Sequence, residues 1–386
     1  WRWPTRRSPA WRCGASLEPY HRCVDRAQVL AFRAARSGLD ARREVALAEA
    51  AACPISDFSR DAALLALGAR VDGLRREEYE RAVDSGDLVV AHVIRGAIHA
   101  VAPDDLPLWG RALLGRDERE LGAQLGQQVQ RLGKEHGIEH SAALAEVSEA
   151  TRDALSGGRA LDKDALHEEL RRRVRSELLP WCKGCQSHHV APMLWRYATI
   201  DAGVRLDAQR RYRLAELGEE PPASEAVRRY LRFYGPAQPS EFARWAGLSP
   251  AHGKRLWKEV APELVEVEVD GARAWVLGED EAALASPPQI SGLRLLPPSD
   301  PFLQPPNRPL LAPDEAVRKR LFRPVASPGA VLADGELAGI WRARRKSRRT
   351  ELEVEELRPL PRDGLEQEAQ RLAELRGDER LELTLA

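Results

Sequence analysis

At 386 residues, 43% apolar and 31% charged, the chain is long enough for two to four domains of roughly 100 to 200 residues and too apolar for global disorder. Lys plus Arg and Asp plus Glu number 59 each, so no overall basic excess marks a nucleic-acid partner and any DNA-binding surface needs locally segregated charge. No stretch approaches 18 uncharged apolar residues and Trp1–Arg12 has no signal-like apolar core, which excludes membrane insertion and secretion as expectations; five cysteines in so long a chain make no disulfide scaffold, and the cytoplasm is the expected compartment.

Residues 1–25 show no apolar periodicity and are expected to be a disordered extension. From Arg26 to Leu39 the apolar spacing predicts a helix stopped at Ser37-Gly38. Glu44–Ala52 follows, ended by Cys53-Pro54, because a residue before proline is pushed out of the helical region. Helical spacing resumes over Ala62–Val71 and Arg76–Ser85. The β-branched run Leu88–Arg95 and its partner Gly96–Val101 then predict a hairpin, so residues 26–113 resemble a winged helix-turn-helix.

Residues 114–217 predict a second, mostly helical module, with helices over Arg116–Gly133, Ser141–Leu155, Lys163–Leu178 and His189–Thr199. Its Cys182-x-x-Cys185-x-x-His188-His189 loop has zinc-ligand spacing; a buried Cys/His cluster and redox use are the other readings. Cys182, Cys185 and His189 are the candidate ligands, and His136, His140 and His167 are candidates for a fourth. Residues 221–278 give the third module: helices Ser224–Tyr234, Ser240–Ala246 and Ser249–Val260, then strictly alternating Leu264–Val269, an Asp270-Gly271 turn and Ala274–Leu277. A generic helix-hairpin packing unit would read the same way.

Prolines from Pro287 to Pro309 mark a linker into a β-rich domain, 287–386. A meander over Gly329–Leu332, Glu336–Arg344 and Arg349–Leu357 carries Arg342, Arg344, Arg345, Lys346, Arg348 and Arg349 at one turn, six cations in eight residues. Such a cluster binds phosphate, or is neutralised by the acidic alternation Glu351, Glu353, Glu355. The predicted fold class is α+β: tandem winged helix-turn-helix modules followed by a β-rich C-terminal domain.

Four segments carry a resemblance. They are Val93-Ile94-Arg95-Gly96-Ala97-Ile98-His99 with Pro103-Asp104-Asp105-Leu106; Tyr230–Ala237 with Phe242–Leu248; Leu296-Pro297-Pro298-Ser299-Asp300-Pro301-Phe302-Leu303-Gln304 with Asn307-Arg308; and Val331–Gly335 with Gly339–Arg344. In this order the chain resembles the winged-helix DNA glycosylases of the AlkZ and YcaQ type, which remove alkylated or crosslinked bases. The resemblance implies tandem winged helices with a small C-terminal β-barrel-like domain arranged around duplex DNA, and N-glycosidic bond cleavage; no cofactor is expected to be required apart from a candidate structural zinc at the Cys/His loop, and the protein is expected to be a monomer. Arg95 and His99, alternating along the strand pair, and Arg308 join the basic turn as DNA-binding candidates, although Arg95 and His99 could instead pair with Asp104 or Asp105.

The same resemblance implies two glutamines, or a glutamine and an aspartate, one residue apart after the second helix. Here Ser56 and Phe58 occupy those positions. A phenyl ring cannot orient water, so Asp57 and Ser56 are the catalytic candidates, and in an extended segment Asp57 would point away from Ser56. Capping of the helix near Ala62 is the competing role. The departure leaves a non-catalytic DNA-binding or regulatory protein on the same scaffold as the alternative function.

Overall fold

The computed structural model describes residues 22–59, 61–346 and 348–386. The fold is mixed α+β, with open sheets of three, five and five strands and one two-stranded hairpin among the described residues. No helix is long and apolar enough to cross a membrane.

The first five-stranded sheet positions the site. Its order is β2 (Ile55–Ser56), β4 (Ile98–Val101), β3 (Val89–His92), β7 (Val204–Leu206) and β8 (Tyr212–Leu214), with every neighbour antiparallel. All four residues of β3 are buried, because both faces of the sheet are covered and alternation with solvent is lost. Ile55, Val90, Ala100 and Leu206 face a core with the helices Glu118–His136, His140–Leu155 and Pro192–Asp201. Val89, Ala91 and Val101 face a second core with the helices Glu225–Tyr234, Pro239–Ala246 and Pro250–Val260. The strands β7 and β8, three residues each, lie in the second helical region and extend the hairpin of the first.

The third region forms its three helices and hairpin as expected. Ser249 caps the last helix by accepting from the His252 amide at 3.2 Å, and Asp270 and Gly271, with φ of 47° and 82°, make the tight turn. The hairpin strands β9 (Leu264–Val269) and β10 (Ala272–Leu277) gain a third, parallel member, β1 (Arg22–Val24). The extension expected to lack order through residue 25 is therefore structured from Arg22, because Val24 packs against Val267 and Val276. Residues 1–21 lie outside the described residues.

At the C-terminal end, β11 (Leu293–Leu296), β12 (Gly329–Ala333), β13 (Glu336–Lys346), β14 (Arg349–Glu356) and β15 (Arg380–Leu385) form a linear sheet, antiparallel except for the parallel pair β14–β15. The barrel-like closure does not form. Instead the helix Arg362–Leu375 lays Leu365, Ala369 and Leu372 across the apolar face, which buries that face without joining its edges.

Two buried arginines join the motif segments. Arg33 donates to the carbonyls of Gly235 (3.1 Å), Pro236 (2.7 Å) and Pro306 (3.0 Å) and to Asn307 Oδ1 (2.8 Å). Arg70 grips Asp300 with two bonds of 2.7 and 2.9 Å and donates to the Ser37 carbonyl at 2.8 Å. Asp300 is 0% exposed. Thus Arg33, Asp300 and Asn307 lock first helix, third module and C-terminal domain together.

Candidate functional site

The loop after the second helix enters β2, so its side chains alternate between the two cores. Asp57 takes the face shared with Ile55 and is 3% exposed. Its Oδ1 accepts from the Ala63 amide at 3.2 Å, which caps the helix Ala62–Gly68, and its Oδ2 pairs with Arg210. Burial pushes its pKa up, against the opposing pull of Arg210 and the Ala63 amide. A cavity of about 180 Å³ opens on this side, lined by Asp57, Tyr79, Asp207 and Arg210 among others.

Ser56 takes the other face. Its cross-strand partner is His99, so the two side chains stand together. His99 is 4% exposed and its Nδ1 lies 3.0 Å from the Ala97 carbonyl. That contact makes Nδ1 the donor and leaves the lone pair on Nε2. Burial, then the nearby Arg95, push the His99 pKa down to about 3. Phe58, two residues beyond Ser56, is 78% exposed. The two expected catalytic residues therefore do not converge: Asp57 is bound on one face and Ser56 meets His99 on the other.

Arg95 does not lie on a strand with His99. Ile94–Gly96 is a 3-10 turn with Arg95 at φ 62°, ψ 18°, a conformation rare for a residue with a side chain and costing of order 1 kcal/mol. Gly247 lets the chain pass close by, since a Cβ there would sit 2.5 Å from Arg95 Cγ. Neither Asp104 nor Asp105 pairs with Arg95; Asp105 instead meets Arg229 at 3.2 Å. Burial lowers the Arg95 pKa, opposed only by the tyrosines Tyr234 and Tyr197. Arg308 is lowered by burial and then by Arg95 itself; it donates to the Leu303 carbonyl at 3.2 Å and stands 4.7 Å over the Phe322 ring. Two half-buried guanidinium groups thus act on one another with no carboxylate acting on either.

The basic turn is different. Arg345 meets Asp378 at 2.7 Å, Lys346 meets Glu351 at 3.0 Å, Arg348 meets Glu379 at 2.8 Å and Arg349 meets Glu382 at 3.2 Å. Arg342 and Arg344 face Glu353 and Glu351 across the ladder and make no ion pair among the described residues. Farther off, on the two-residue hairpin β5 (Trp181–Cys182) and β6 (Ser187–His188), Cys182 and Cys185 meet His189 with ligand atoms all within 4.8 Å. Reasoning from sequence missed Arg210, which lies 153 positions from Asp57 and carries no local signal. It also missed Asp300 as a joint, although a lone aspartate among prolines is an expected loop cap.

Comparisons with known proteins bear on the family and the fold. A curated relative from Streptomyces sahachiroi, an interstrand DNA cross-link repair glycosylase, is 26% identical over 350 residues, covering 81% of this chain and 86% of its own length. The solved structure of Streptomyces sahachiroi DNA glycosylase AlkZ shares the fold with a TM-score of 0.74 and 22% identity, over 94% of this chain and 100% of that one. The family described as DNA glycosylase AlkZ-like matches residues 56–375, a span that holds Ser56, Arg95, His99 and Arg308, and the chain belongs to that family.

Proposed function

We propose that this protein is a cytoplasmic, monomeric DNA N-glycosylase that releases alkylated or crosslinked bases from duplex DNA, with the first and third helix-hairpin units acting as winged helices. The observation that carries the reading is the Arg95–Arg308 pair, held half-buried without an acidic partner inside the family-matched span. Burying an uncompensated charge is costly, and a backbone phosphate supplies the missing anion with charge-assisted hydrogen bonds. The strained backbone of Arg95 is of the kind that persists at working sites.

Chemistry belongs to the Ser56–His99 face. His99 is neutral, with a free Nε2 lone pair beside a hydroxyl, a combination that can orient water as a hydrogen-bond acceptor. Asp57 is a positioning residue, tying the loop to Arg210 and the helix Ala62–Gly68 from the opposite face. Without the glutamines, the substrate that suits this site is a cationic N3- or N7-alkylpurine, whose base leaves with little acid assistance. Phe58, exposed two residues from Ser56, suits contact with base faces opened by the lesion. Base release from alkylated duplex tests the reading: Ser56→Ala and His99→Ala should each lower it about 10²-fold or more with DNA binding retained. No release by the unmutated protein from any alkylpurine or crosslinked duplex, with binding intact, would leave a binding protein on a glycosylase scaffold.

A further inference from the structure

Outside this site, one cluster of side chains has no role in it. The short hairpin Trp181–His188 has a ladder of two residue pairs and no apolar core of its own: Trp181, its one large apolar side chain, is 50% exposed. An isolated ribbon of that size is marginal in water. Yet Cys182, Cys185 and His189 bring three ligand atoms to within 4.8 Å of one another at the hairpin's mouth. The turn between them is shaped for a metal: Gln186 takes φ 51°, Gly184 passes 3.9 Å from the Cys182 sulfur at its Cβ position, and the Cys185 and Gly184 amides donate to that sulfur.

The histidine is oriented as well. His189 Nδ1 lies 2.8 Å from the Val190 carbonyl, which fixes the proton on Nδ1 and leaves Nε2 as the ligand nitrogen. His188, by contrast, turns its Nδ1 to the Leu179 carbonyl at 2.8 Å and its ring onto Trp181 at 5.2 Å. Next to His189, at 5.2 Å between ring centres, stands His167, whose Nδ1 is buried without a hydrogen-bond partner among the described residues.

We propose that Cys182, Cys185 and the Nε2 of His189 bind one zinc ion, with the fourth position left to water. Two thiolates and an imidazole are a soft, borderline donor set that suits Zn²⁺ over Mg²⁺ or Ca²⁺. The ion staples the hairpin to the start of the helix Pro192–Asp201, whose Arg196 and Met193 pack on Gly96 beside Arg95. Metal content is measured on full-length protein purified under reducing conditions, and Co²⁺ is then titrated into the chelated protein. One zinc per chain is expected, with thiolate-to-Co²⁺ charge-transfer absorption near tetrahedral intensity and a thermal midpoint several degrees lower after chelation. Cys182→Ser and His189→Ala should lose the metal and the absorption, whereas His188→Ala should keep both. Substoichiometric zinc with no Co²⁺–thiolate absorption overturns the site, and loss of metal in His188→Ala with retention in His189→Ala overturns the ligand assignment. Circular dichroism of each variant separates metal loss from failure to fold.

Discussion

Two groups of cations in this molecule, one dense in sequence and one scattered, behave in the fold opposite to what that density suggests. The turn at Arg342–Arg349 packs six cations into eight residues, yet four of them reach carboxylates on β14, β15 and the loop before β15. Arg95 and Arg308 are isolated in sequence, 213 positions apart, and meet without any carboxylate acting on either. Local density of positive charge is therefore a poor guide to charge available for a phosphate. What matters is whether the fold supplies an internal anion: the exposed pairs Arg348–Glu379 and Arg349–Glu382 are worth at most about 1 kcal/mol each but still occupy the cation, and Arg345 meets the buried Asp378.

The comparison is tested most severely where a cation is fully paired and fully buried. Asp300→Ala leaves Arg70 uncompensated inside the joint between the first module and the C-terminal domain, and should cost about 3–5 kcal/mol, seen as a fall in the thermal or denaturant midpoint. A loss under 1 kcal/mol would mean that burial of charge does not govern this fold. Asp57→Asn is the intermediate case: it keeps the shape but weakens the tie to the half-exposed Arg210, and about 1–3 kcal/mol of stability should go. Base release should fall with that loosening and recover where added salt or osmolyte restores the loop; a fall at unchanged stability would instead give Asp57 a direct catalytic part.

A smaller effect separates the two cation groups themselves. Replacing Arg95 and Arg308 together with alanine should weaken duplex binding and reduce the slope of log affinity against log salt by about 1.8, the value for two released counterions. Replacing Arg345, Lys346, Arg348 and Arg349 removes twice as many charges and should change the slope less. Equal or larger change from the turn would reverse the comparison, and Arg342→Ala with Arg344→Ala would then locate the remaining contact.

The smallest expected effect concerns charge that the fold refuses altogether. His92 and His99 are both buried, with pKa values pushed down from 6.5 to about 3 by desolvation first. A depressed histidine pKa means that the unfolded chain binds the proton more readily, so stability is full above pH 6.5 and declines as pH falls from there towards 3. His99→Gln should shallow that decline by up to one proton's worth, measured as denaturant midpoint against pH. An unchanged profile would show that His99 binds its proton equally well in the folded and the unfolded chain, and that burial does not hold it neutral.

Much of the third module was legible because its signals are local. Ser249 caps its helix, Asp270-Gly271 turns its hairpin and Leu264–Val269 alternates, and each requires only neighbours a few residues away. The helix Arg362–Leu375 carried an equally local signal, Leu365, Ala369 and Leu372 on one stripe, and was lost only because a β-rich context was expected around it. Short strands such as β7 and β8 had no signal of their own, since three residues fix neither period nor register without the hairpin they join.

The candidate site divides the same way. Sequence alone determined the family motifs, the absence of glutamine at 56 and 58, the Cys-x-x-Cys spacing and the opposed directions of Ser56 and Asp57, because an extended strand alternates by its covalent geometry. Only the tertiary structure decided that Asp57 is bound to Arg210, that Ser56 meets His99, that the basic turn is neutralised and that Arg95 and Arg308 are left without an anion. Each of these depends on which distant groups share a low-dielectric neighbourhood, and Coulomb interaction and desolvation follow distance in space and depth of burial, neither of which a one-dimensional charge pattern contains.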